Sequence, residues 1–98
     1  MTPLVSNDEI SGFLNTVAIA PNPTDTDAQL FFKLREDESI QCSLHNIIGE
    51  RIKTLFTGSV SAQQTAAVDI PLDDVSSGIY IVRVSDGRQS IARKLLKQ

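Results

Sequence analysis

Any chemistry in this 98-residue chain would have to come from very few side chains. There is one histidine, His45, and one cysteine, Cys42. They lie three apart in a stretch that alternates apolar and polar residues. On an extended chain an odd spacing sends two side chains to opposite faces. A local Cys/His metal pair is therefore excluded, and zinc would find no second soft ligand. Cys42 alternates with Ile40 and Leu44 and reads as a small buried hydrophobe. A single cysteine also rules out an internal disulfide. Carboxylates are paired at Asp25 with Asp27 and at Asp73 with Asp74. Both pairs fall in turn-like stretches, where aspartate accepts backbone N–H groups. Calcium also takes loop oxygens, but the spacing of an EF-hand loop is missing. So are a glycine-rich phosphate loop and the G-x-S-x-G nucleophile elbow. A serine triad would need His45 to meet both a serine and an aspartate on a small domain without an evident cleft. The expectation is no enzyme, no cofactor and no metal.

The basic residues form the other chemical feature. The net charge is −3, but Arg88, Arg93, Lys94 and Lys97 follow Asp86 with no acid among them, so that end carries +4 and the rest −7. Such an asymmetry steers an acidic partner toward the basic end. Nucleic acid is a poor candidate, since the cations are few and no aromatic residues interleave with them to stack bases. The absence of tryptophan removes a sugar-stacking platform as well. No apolar run reaches the roughly 20 residues that span a bilayer, and the N-terminus lacks the pattern of a signal peptide.

The elements that must carry these residues read as strands. An apolar fraction of 41% and a charged fraction of 21% suit one globular domain. Period-two alternation recurs, punctuated by turn residues. Val17 to Ala20 is a short first strand, closed by Pro21-Asn22-Pro23 because proline has no N–H for a ladder. Ala28 to Arg35 follows, with Leu30, Phe32 and Leu34 on one face. Ser39 to Ile47 and Arg51 to Phe56 pair around a turn in which Gly49 takes a positive φ cheaply. Gly58 to Gln64 reads as a polar loop, with room for a short edge strand at its start. Ala66 to Ile70 is a strand, Pro71 to Gly78 crosses over, and Ile79–Ser85 with Ser90–Leu96 form a last hairpin turned at Asp86-Gly87. The prediction is an all-β, Ig-like β-sandwich of about seven antiparallel strands with Greek-key connections.

Asp74 and the run Ser77-Gly78-Ile79-Tyr80-Ile81-Val82 sharpen this into an expected tyrosine corner. Tyr80, at the start of a late strand, would hydrogen-bond back to the crossover before it, two residues ahead of the core position Val82. Tyr80, Val82 and Val84 should then face inward, and Ile79, Ile81 and Arg83 outward. The final strand would lie at a sheet edge, where unpaired backbone groups invite another chain. Lys94 and Lys97 would discourage indiscriminate pairing there. An open edge is also where two copies would form a dimer.

In order along the chain stand Pro21-Asn22-Pro23, Gly49, Leu72 with Gly78-Ile79-Tyr80, and a terminal Lys94-Leu95-Leu96-Lys97. This series resembles the C-terminal sorting domain, type A, of proteins exported by the type IX (Por) secretion system of Bacteroidetes. The resemblance covers residues 17 to 98; Ala20 departs from it, where an aromatic residue often precedes the proline pair. It implies an Ig-like sandwich at the end of a larger cargo protein. The cargo would cross the periplasm, pass the outer-membrane translocon and reach the cell surface or extracellular space. There a sortase would remove the domain as the cargo is anchored or released. By the same resemblance, Lys94, Leu95, Leu96 and Lys97 are what the secretion machinery recognises, and Pro21, Asn22, Pro23, Gly49, Gly78 and Tyr80 are mainly structural. Residues 1–16 would be the linker from the cargo, containing the cleavage region, and residues 17–98 the sorting domain. A label at the C-terminus needs nothing after Gln98. The alternative is an Ig-like accessory or adhesion module that binds a polymer or protein through its loops or through an outer face containing Ile79 and Ile81.

Overall fold

A computed structural model describes residues 12–98. Seven strands, β1 (Leu14–Ala20), β2 (Ala28–Leu34), β3 (Glu38–Asn46), β4 (Arg51–Val60), β5 (Ala66–Ile70), β6 (Gly78–Ser85) and β7 (Ser90–Lys97), make up the described fold. They form two antiparallel sheets, one ordered β1-β2-β5 and the other β4-β3-β6-β7. The chain changes sheets between β2 and β3, β4 and β5, and β5 and β6, so this is a sandwich with crossover connections and not a meander.

Alternation dictates what lies between the sheets. Leu30, Phe32 and Leu34 of β2 are buried against Ile40, Cys42 and Leu44 of β3 and Tyr80, Val82 and Val84 of β6. Ile79 and Arg83 point outward and are exposed, and Ile81 between them is half-buried. The tyrosine corner is formed: the Tyr80 hydroxyl donates to the Ser76 carbonyl at 2.5 Å. Its ring stays in the core while its one polar atom is satisfied by the crossover, which solves the problem of burying a phenol.

The fold departs from the sequence reading at its first strand. The first strand begins at Leu14, not Val17, and Phe13 and Leu14 are both buried. The Phe13 carbonyl accepts the Arg35 N–H at 3.0 Å. The stretch read as linker thus contains core residues; residues 1–11 of that stretch lie outside the described residues. At the start of Gly58 to Gln64, where the sequence left room for a short edge strand, the chain is strand as a continuation of β4, which pairs with β3 out to Val60, opposite Glu38. Gly58 is tolerated there because the Phe56 ring lies over it, and a Cβ at this position would sit 3.2 Å from Phe56 Cζ.

Candidate functional site

The C-terminal strand places its residues on two faces and one edge. Leu95 lies opposite Tyr80 and is fully buried. Lys97, on the same face one step further on, reaches the rim of the sandwich. Its Nζ donates to the Leu72 carbonyl and, at 2.6 Å, to the Val75 carbonyl. The crossover between β5 and β6 is therefore tied to β7 by a half-buried ammonium. Lys94 and Leu96 have the opposite parity and lie exposed on the outer face of the four-stranded sheet. Of the four residues read as a recognition motif, two are built into the scaffold and two face solvent.

The edge of β7 is not open along its length, contrary to the expectation of a row of unpaired groups. After β1 the chain leaves the first sheet at Pro21-Asn22-Pro23, where both X–Pro bonds are cis, and comes alongside β7. The Asn22 side chain acts as a strand would: its Nδ2 donates to the Lys94 carbonyl at 2.8 Å, and its Oδ1 accepts the Leu96 N–H at 3.1 Å. Thr24 continues the pairing in parallel, its N–H donating to the Leu96 carbonyl at 2.9 Å and its carbonyl accepting the Gln98 N–H at 2.8 Å. Thr24 is itself buried, with its hydroxyl donating to the Asp27 carbonyl at 2.6 Å. Residues 94 to 98 thus have their edge covered, one of the ways natural sheets avoid edge-to-edge association.

The structure places the remaining glycines of the motif at a turn and at a strand start. Gly49 closes the β3–β4 turn at φ +93°, and the turn is held by Asn46, whose Oδ1 accepts the N–H groups of Ile48 at 3.1 Å and Glu50 at 2.9 Å. Gly78 opens β6 at φ +153°, a value that any side chain would strain. His45 is half-buried, with Nε2 on the Ser43 hydroxyl at 2.9 Å and Nδ1 on the Gly49 carbonyl at 3.3 Å. Among the described residues no group of three or more His, Cys, Asp or Glu side chains converges as metal ligands would.

The paired aspartates serve the loops. Asp27 accepts the Leu72 N–H at 3.1 Å, and Asp74 receives Lys53 Nζ at 2.6 Å, which holds the Asp74 carboxyl below the ordinary range. Lys53 also donates to the Pro71 carbonyl at 3.0 Å, so two lysines from different strands brace the same crossover. Asn22 is among the residues read as mainly structural, but its partners, like those of Thr24 and Lys53, were not readable in the sequence because they lie far along the chain.

Burial pushes the Cys42 thiol up to about 12. Modification by a thiol reagent at pH 8 is expected to be on the order of a thousandfold slower in the native protein than in urea, because only the thiolate reacts. A rapid native reaction, followed by absorbance, would show that the core opens.

These features define a small β-sandwich whose terminal strand is fastened at the rim and along its edge. The sequence matches the family described as secretion system C-terminal sorting domain over residues 18–98, and the chain belongs to that family. No curated protein matches the chain. Membership makes it a type IX sorting signal, part of a larger cargo, with the secretion system as partner and the cell surface or extracellular space as destination. This is not an enzyme family. No helix among the described residues is long and apolar enough to cross a membrane.

Proposed function

We propose that the folded domain, and not a bare C-terminal peptide, is what the translocon receives, with the outward half of the terminal motif, Lys94 and Leu96, available for recognition. The observation that carries this reading is the fastening of residues 94 to 98 by Asn22, Thr24 and the Lys97 ammonium. A strand held on its edge and at its tip offers side chains to a partner in place of backbone. The cargo is carried from the periplasm outward, and a surface sortase then cuts ahead of Phe13, which is buried in the core. The chain itself is the address and the sortase substrate.

The test is a periplasmic fluorescent reporter fused to residues 1–98, expressed in hosts with and without a type IX system. Surface or medium fluorescence that depends on the system, with loss of the domain from the delivered reporter, is the expected result. Retention in the periplasm of both hosts would overturn the reading and return attention to an accessory binding module. Delivery with the domain still attached would remove only the sortase step.

A further inference from the structure

The outer face of the β4-β3-β6-β7 sheet is chemically one-sided. Strand register sets its residues in rows. One row runs Arg51, His45, Ile81, Lys94, and the next runs Thr54, Ser43, Arg83, Ala92. On the other side of the first row Ile79 lies opposite Leu96. The large apolar residues most open to solvent, Ile47, Ile48, Ile52, Ile79 and Leu96, all belong to this end of this sheet. Ile47 and Ile48 form the β3–β4 turn and are 70% and 75% exposed. In the registered rows there is no carboxylate, and Arg51, Arg83 and Lys94 have no acidic partner among the described residues. Between the two arginines is a shallow depression of about 400 Å³, with Ser43 and His45 in its wall.

We propose that this face docks an acidic segment of a protein partner, with a carboxylate seated between Arg51 and Arg83 and an apolar side chain lying over Ile79, Ile81 and Leu96. Guanidinium groups match carboxylates in a bidentate fork, and a pair of them beside an apolar strip fixes both position and direction. Complementarity favours an acidic partner, because the chain as a whole is at −3 while the registered rows of this face carry only cations, and Glu50 in the adjoining turn is engaged by Asn46 Nδ2 at 2.8 Å. Such a partner is repelled elsewhere and drawn here. A second copy face to face would oppose Arg51, Arg83 and Lys94 with themselves. A lipid surface fits less well: three cations fall short of the four to eight of a polybasic lipid-binding cluster. The anchoring aromatics of a membrane interface are also missing, since the chain has no tryptophan and Tyr80 is buried in the core.

The proposal rests on the sorting reading only for who the partner is, and its test separates the two. The 98-residue chain with Arg51→Glu and Arg83→Glu is compared with wild type in the reporter assay, with Tm measured on both. Should the double glutamate change lower Tm, Arg51→Gln and Arg83→Gln take its place. The expected result is at least a tenfold loss of delivery at unchanged Tm, with Arg51→Lys and Arg83→Lys recovering part of it. Delivery at the wild-type level overturns the proposal. Phosphatidylglycerol vesicles are the second probe; binding by wild type that these substitutions abolish would make the face a lipid surface and overturn it too. If wild type itself is not delivered, the sorting reading falls. The docking face is then judged by titrating the chain with a short Leu/Glu peptide and its Leu/Gln counterpart. Amide shifts confined to residues around Arg51, Arg83, Ile79 and Ile81, and seen only with the glutamate peptide, sustain it; scattered or absent shifts overturn it.

Discussion

Leu95→Ala is expected to cost about 2–5 kcal/mol, the range for deleting a buried leucine side chain. Leu95 is fully buried, lies opposite Tyr80 and belongs to the main core cluster, so its loss leaves a cavity that neighbouring strands cannot close without breaking register. Against a total stability of about 5–15 kcal/mol for a domain, that is a large fraction. Leu96→Ser, one residue on, is expected to cost less, about 1 kcal/mol, because its side chain lies on the outer face and is 36% exposed. Urea unfolding of the two variants measures the difference directly. Reporter delivery should fall in both, but for separate reasons: Leu95→Ala by unfolding, Leu96→Ser by loss of an apolar contact on the outer face. Equal stability of the two variants would show that β7 is not packed as described.

The contrast between these neighbours bears on what was legible in the sequence. Period-two alternation is a consequence of strand geometry, so the inward sets Leu30, Phe32, Leu34 and Tyr80, Val82, Val84 were readable without a structure. The tyrosine corner was readable for a different reason: its two ends lie four residues apart. The covered edge was not. Asn22 meets Lys94 and Leu96 across separations of 72 and 74 residues, and it does so with a side chain imitating backbone, which leaves no local signature. Phe13 and Leu14 were missed because two apolar residues amid polar ones carry no period. The cationic depression depends on register between β3, β4 and β6, and register between distant strands is a property of the assembled sandwich. One feature was present in the spacing yet easily overlooked: Lys94 and Lys97 are three apart, so on a strand they face opposite ways.

That parity carries the last expected result. Lys97→Met keeps the aliphatic stem and removes the ammonium, leaving the Leu72 and Val75 carbonyls without their donor at a partly enclosed rim. Hydrogen bonds to a charged group contribute about 1.5–3 kcal/mol, so a loss of about 2 kcal/mol is expected in urea unfolding. The crossover it braces should loosen first, seen as faster amide exchange at Leu72 and Val75 and at Tyr80, whose hydroxyl depends on the same crossover. Lys94→Met should leave stability unchanged, since the Lys94 ammonium has no partner among the described residues. Instead it should lower reporter delivery by taking a cation from the outer face. The two lysines therefore test different links of one chain of cause: Lys97 whether the strand is held, Lys94 whether the held strand is read. If Lys97→Met abolished delivery while melting like wild type, the fastening account would be wrong and the ammonium itself would be the recognised group.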